Sequence, residues 1–169
     1  ERVGTIHLQL GNPNEAEKAY LEAQRAWELL ARQYRRDARF RVARANNLAH
    51  LAHLHASQFG SRQQALQWTQ QRLALFEELA LEYSSQPQYV RGLAAAHRDL
   101  ATLYMDAGWL SKAGKHFQEA VRRGPGEEAA SGTERGETVA TLHGLGRWLH
   151  RTSQLDAASQ RLEQARSLS

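Results

Sequence analysis

The sequence predicts an all-α protein built as a solenoid of about four helical hairpins. Three observations carry this: one spacing of small and aromatic residues returns along the chain, apolar residues recur every three to four positions, and no segment alternates as a strand does. The stretch GNPNEAEKAYLEA at 11–23 returns as GWLSKAGKHFQEA at 108–120, so Gly11, Ala16, Tyr20 and Ala23 correspond to Gly108, Ala113, Phe117 and Ala120. Two poorer copies complete the set: Gly60 and Ala65 with Thr69 and Arg72, then Ser153, Ala158, Leu162 and Ala165. The registers at 11, 60, 108 and 153 are spaced by 49, 48 and 45 residues.

Each register marks a junction between two helices. Before Gly108, the residues Leu93, Ala96, Leu100, Leu103 and Ala107 form one helical stripe, and after it Ala113, Phe117, Ala120 and Val121 form another. After Gly11 the stripe is longer, through Ala16, Tyr20, Ala23, Trp27, Leu30 and Tyr34. Asn12 with Pro13 and Glu15, Ser61 with Gln64, and Ser153 with Asp156 read as helix starts. Arg122 and Arg123 before Gly124 and Pro125 read as a helix end with a left-handed glycine cap. Glycine at a hairpin turn accepts positive φ, while alanine five positions later lets two helices approach.

These residues resemble the tetratricopeptide repeat family. The third unit carries the fullest match, with Leu100, Ala101, Tyr104, Gly108, Ala113, Phe117, Ala120 and Pro125; Gly4, Gly11, Ala16, Tyr20 and Ala23 match in the first, and Leu145, Gly146, Ala158 and Ala165 in the fourth. The resemblance implies a right-handed superhelical solenoid forming one domain over 1–169, with units at about 1–37, 38–86, 87–125 and 134–169 and a flexible loop at 124–136. The units exceed the family's usual length of about 34 residues, and the extra length falls mostly in the helices. An NNL stretch at Asn46, Asn47 and Leu48, with Gly60 four residues late, places an inserted helical turn in unit two. The stretch SSQPQYVRGLAAAHRDLA is similar to long-unit repeats found beside bacterial serine/threonine kinase and signalling domains; separately, Glu1 standing partway into the first helix and Ser169 closing the last without a polar capping helix give the expectation of an excised segment of a longer solenoid. The four tryptophans, Trp27, Trp68, Trp109 and Trp148, are almost evenly spaced but fall in different phases of the repeat and are not its signature.

Composition and motifs speak against chemistry. There are no cysteines among the 169 residues, which removes thiolate nucleophiles and disulfides and fits a reducing, cytoplasmic setting. No apolar run has the length of a membrane span, and no leader pattern opens the chain. GWLSKAGKH lacks the spacing and the preceding strand of a phosphate loop, and neither a serine elbow nor a His-Glu-x-x-His motif occurs. His50, His53 and His55 lack a carboxylate to complete a metal set. The expectation is therefore a non-enzyme with no catalytic residue, no metal and no cofactor.

What remains is binding. The resemblance implies that the first helix of each hairpin lines a concave groove. In unit four a buried stripe of Val139, Leu142, Leu145 and Leu149 leaves His143, Arg147, His150 and Arg151 on a basic face; unit three offers Arg98 and Thr102, and unit two Asn46, Asn47 and His50. Asparagine clamps an extended backbone and arginine forks onto carboxylate, so the implied partner is a protein or peptide, acidic in character. The alternative use of these positions is plain solvation.

Residues 32–44 hold six Arg and one Asp, and Arg35, Arg36 and Arg39 form a candidate anion patch. A nucleic acid is the weaker reading, because only Tyr34 and Phe40 supply aromatic platforms there. A sensory or regulatory segment of a larger signalling protein, and end-to-end stacking of chains, stay open.

Overall fold

The computed structural model describes residues 1–125 and 132–169, and every described element is helical. In chain order these are α1 (Arg2–Gln9), α2 (Pro13–Gln33), α3 (Ala38–Ser57), α4 (Arg62–Glu82), α5 (Pro87–Asp106), α6 (Leu110–Arg123), α7 (Gly132–Arg151) and α8 (Leu155–Leu168). The chain divides into two compact units, Glu1–Leu79 and Ala80–Ser169. No helix among the described residues is long and apolar enough to cross a membrane.

The four registers read from the sequence fall at four tight turns, each between the two helices of a hairpin. Gly11, Gly60 and Gly108 take φ of 74°, 62° and 80°, and Ser153 takes 62°. The left-handed conformation costs an L side chain roughly 1–2 kcal/mol, which glycine avoids. Ser153 therefore holds strain that its three counterparts do not. Ser153→Gly is expected to stabilise the chain by about 1 kcal/mol, less what glycine adds to unfolded-state entropy. Paired urea denaturation curves would show it as a raised midpoint at unchanged slope.

Helix lengths agree with long units: α3, α5 and α7 have 20 residues each, and α2 and α4 have 21. Helix starts follow the sequence less closely. Asn12 precedes α2 without a side-chain capping bond, Pro13 occupying the first turn instead. Gln154, not Ser153, precedes α8. The one described side-chain cap is Asp37, whose Oδ1 accepts from the Arg39 amide at 3.0 Å. At the end of α6 Gly124 is extended, with φ −68° and ψ 169°, and so does not form the left-handed cap. Of the expected loop 124–136, residues 126–131 lie outside the described residues, while 132–136 belong to α7. Thr138 Oγ1 donating to the Glu134 carbonyl at 3.1 Å belongs to that first part of α7.

In the first unit α1 packs on α2 and α2 on α3. One buried cluster there joins Ala16, Tyr20, Leu51 and Leu54, with Leu8, Leu21, Phe59 and Trp68 packed around it. Gly4 admits the Tyr20 ring so closely that a Cβ there would lie 2.6 Å from Cε1. Tyr20 is fully buried, and its hydroxyl pairs with Thr5 Oγ1 at 3.1 Å. The aromatic register position thus locks the two helices of hairpin one.

In the second unit α5 packs on α6, α6 on α7 and α7 on α8. Phe117 fills the Tyr20 position and is fully buried. Its ring reaches Gly144 of α7, where a Cβ would stand 2.5 Å from Phe117 Cε1. Gly114 of α6 receives Trp148 of α7 in the same way, and Trp148 Nε1 donates to the Leu110 carbonyl at 2.7 Å. Within hairpin four, Gly146 lies against Leu162, as Gly4 lies against Tyr20. Identical register positions therefore make identical contacts in hairpins one and four.

Candidate protein-interaction face

In the second unit two polar ties hold α7 beside α5. Arg91 Nη1 meets Glu134 Oε1 at 2.6 Å near one end, and Arg151 Nη1 donates to the Met105 carbonyl at 3.2 Å near the other. The sides of α5 and α7 turned away from the core carry the predicted residues. On α5, Arg98 and Thr102 are half-buried: Arg98 Nη2 lies 3.4 Å from Asp99 Oδ1, and Thr102 Oγ1 donates to the Arg98 carbonyl at 3.0 Å. On α7, Leu142, Leu145 and Leu149 are buried as expected and Val139 only half-buried, while His143, Arg147, His150 and Arg151 are exposed. His143 and Arg147 stand one turn apart, so they share a face.

The basic residues differ in what they already do. Arg151 ties α7 to the end of α5, and Arg98 has a carboxylate beside it. His143, Arg147 and His150 carry no hydrogen bond or ion pair among the described residues. His150 and Arg151 also sit in the last turn of α7, where positive charge complements the helix dipole.

The first unit separates its three predicted residues. Asn46 and His50 are exposed, one turn apart on α3. His50 stacks on Tyr20 with centroids 5.2 Å apart and planes 1° from parallel. Desolvation of the ring face stacked on Tyr20, while the rest of the ring stays exposed, pulls its imidazole below the ordinary range. Asn47 departs from the expectation: it is fully buried, and its Nδ2 donates to the Tyr20 carbonyl at 2.8 Å and to Gln24 Oε1 at 3.1 Å. A step of 100° separates adjacent helical residues, so Asn46 and Asn47 cannot share a face. Asn47 holds hairpins one and two together rather than meeting a ligand.

His50, His53 and His55 also part company. His55 is buried, with Nε2 3.1 Å from Glu17 Oε1 and its ring edge-on to Phe59. Among the described residues no group of three or more His, Cys, Asp or Glu is placed to hold a metal ion.

Around the arginine run the charge is largely answered. Arg39 forks onto Asp37, Nε meeting Oδ1 at 2.9 Å and Nη2 meeting Oδ2 at 2.7 Å, which holds the Asp37 carboxyl below its ordinary range. Arg32 lies 2.6 Å and Arg44 4.0 Å from Glu28. Asp37 also occupies the amino end of α3, where an anion would otherwise be drawn. Arg35 and Arg36 are exposed in the turn after α2, and Tyr34 and Phe40 pack against each other at 5.4 Å.

Sequence reasoning missed one pair of polar side chains. His97 of α5 and His116 of α6 bring Nδ1 atoms to 2.9 Å. Burial, then His116 and Arg123, hold His97 down to about 4. His97 falls on the buried arc of α5 with Leu93 and Leu100, and that phase is the signal that marks it as internal.

Residues 92–169 match the family model described as tetratricopeptide repeat. No curated protein matches the chain. Among solved structures, the MamA RS-1 ArsTM double mutant aligns over 99% of this chain and 90% of its own, at 18% identity and a TM-score of 0.40. A superposition that loose adds nothing to the assignment. The assignment rests on the matched segment, where Gly108, Ala113, Phe117 and Ala120 of hairpin three recur as Ser153, Ala158, Leu162 and Ala165 of hairpin four, with both turns left-handed. Residues 92–169 belong to the tetratricopeptide repeat family.

Proposed function

We propose that the chain is a protein-interaction module that binds an acidic peptide or an acidic surface of a partner on the α5 and α7 face. Tetratricopeptide repeats generally mediate association between proteins, and this is the coarse reading that the family match supports. The observation that carries the finer one is the set of exposed cationic or titratable side chains on α7, His143, Arg147 and His150, without a partner among the described residues. Arg147 is the centre of this surface. A carboxylate met by its fork would gain a charge-assisted pair, with Thr102 and Arg98 of α5 as neighbouring polar groups.

The test uses a fluorescein-labelled glutamate-rich peptide and a lysine-rich control, read by anisotropy against residues 1–169. The glutamate-rich peptide is expected to bind and the control not to. Arg147→Ala should weaken binding roughly tenfold, the worth of one charged hydrogen bond. Equal binding of both peptides, or an Arg147→Ala protein that binds as the parent does, would overturn the reading. Arg35, Arg36 and Arg39 have less in their favour as a nucleic-acid surface, because Arg39 is already committed to Asp37.

A further inference from the structure

Between the end of α6, the first half of α7 and the second half of α8 lies a recess of about 160 Å³. The repeat register explains its presence. Counting from Gly60 and Gly108, Ala120 and Gly124 of α6 stand where α4 has Arg72 and Phe76, both of which are buried. Two large side chains have been replaced by two small ones. Beyond Gly124 the space is open, since a Cβ built there would meet only the Ala120 and Val121 carbonyls of its own helix. Val121, which also lines the recess, is 38% exposed, so the space is reached from solvent.

The wall is more apolar than polar. Ala120 and Leu142 are buried in it, and the Thr138 and Thr141 hydroxyls donate back to the Glu134 and Glu137 carbonyls at 3.1 and 2.9 Å. The charge comes from α8. Arg161 is half-buried, donates from Nη1 to Gln164 Oε1 at 2.9 Å, and has no ion pair among the described residues. Counting from Gly108 and Ser153, Arg161 and Leu142 correspond to His116 and His97, which meet each other, and Gln164 corresponds to Glu119, which holds Arg122 and Arg123. Hairpin four thus has leucine where hairpin three has a polar partner, and an amide where it has a carboxylate. A guanidinium with five N–H donors is left with a neutral acceptor.

We propose that this recess binds a small monocarboxylate with an apolar body of about six carbons, its carboxylate forked by Arg161. The volume sets the body, because a cavity of about 150 Å³ holds one benzene ring. The charge sets the head. A carboxylate supplies the anionic acceptors that Gln164 and Leu142 do not, in a place partly shielded from water, where such a pair is stronger. The carboxylates of an acidic peptide bring no such apolar body, and the recess shares no residue with the Arg147 face.

The probes are phenylacetate, its neutral analogue phenylacetamide, and acetate, titrated into isotopically labelled protein and followed by amide chemical shifts. Phenylacetate is expected to bind with a dissociation constant of about 1 mM or below, shifting the amides of Val121, Gly124, Thr138 and Arg161. Phenylacetamide and acetate should each bind about tenfold more weakly or worse, one lacking the charge and the other the body. Arg161→Gln should cost phenylacetate the same factor and leave phenylacetamide unchanged. Val121→Phe, which sets a ring into the opening, should weaken both, and Arg147→Ala should weaken neither. Neither Arg161 nor Val121 is fully buried, so circular dichroism and urea midpoints of their variants should stay close to the parent's. Absence of saturable shifts with phenylacetate, equal binding of acid and amide, equal binding by parent and Arg161→Gln, or shifts confined to residues outside the recess overturns the proposal.

Discussion

Phe117→Ala is expected to cost the second unit about 3–5 kcal/mol, the range for deleting a fully buried aromatic ring. Phe117 is fully buried, and its ring supplies the three atoms nearest to where a Cβ on Gly144 would stand. Removing it opens space at the two contacts of α6, inward to α5 and onward to α7. Neither neighbour can fill that space by a small shift. Gly144 has no side chain to offer, and Gly114 already holds the Trp148 ring where its own Cβ would stand. Phe117→Leu provides the calibration, because leucine stands at the equivalent Leu162 in hairpin four. A conservative apolar change of that kind should cost less than about 1.5 kcal/mol. Urea denaturation followed by tryptophan fluorescence would report both, with Trp148 beside the lesion as the local probe. Equal destabilisation by the two variants would mean that the ring, rather than the buried volume, is what hairpin three requires.

The sequence was legible where geometry leaves one residue type little competition. Gly11, Gly60 and Gly108 announce left-handed turns because few other residues tolerate them, and Ser153 was found only because the spacing pointed to it. Burial phase was equally readable on α7, where Leu142, Leu145 and Leu149 turn inward as expected and His143 and Arg147 turn out. Asn47 was misread because a buried asparagine and a ligand-clamping one look alike until its partners, Tyr20 and Gln24 on another helix, are known. The beginning of α7 was hidden for a different reason. Gly132, Thr133 and Gly136 have low helix propensity, yet these residues lie in a helix that the Arg91 pair with Glu134 ties to α5. The His97 pair needed two helices to meet, 19 residues apart in the chain.

That pair makes stability depend on pH. His97 is 6% exposed, and its Nδ1 faces the Nδ1 of His116 at 2.9 Å, so one nitrogen must offer a lone pair to the other. Both rings cannot present a proton at that contact. The surroundings from α6 are His116, Arg123 and Arg122, which disfavour a charge on His97, and Glu119, which favours it but is itself bound by both arginines. Burial is the largest cause, and together they hold His97 at about 4 rather than 6.5. In the unfolded chain the imidazole titrates near 6.5, so below that pH the unfolded state binds a proton that the folded state refuses. The contribution is complete above about pH 6.5 and is lost as pH falls toward 4, by roughly 3 kcal/mol over the full window. Glu119, held at about 2 by its hydrogen bonds to Arg122 and Arg123, loses its own contribution between about pH 4.5 and 2, so above pH 4.5 the fall belongs to His97. His97→Gln keeps a hydrogen-bonding side chain at the site and removes the titration. Denaturation midpoints measured from pH 7 to 4.5 should fall steeply for the parent and much less for His97→Gln. If the two profiles run parallel, the acid sensitivity belongs to other groups and the two rings meet in the fold without governing its response to pH.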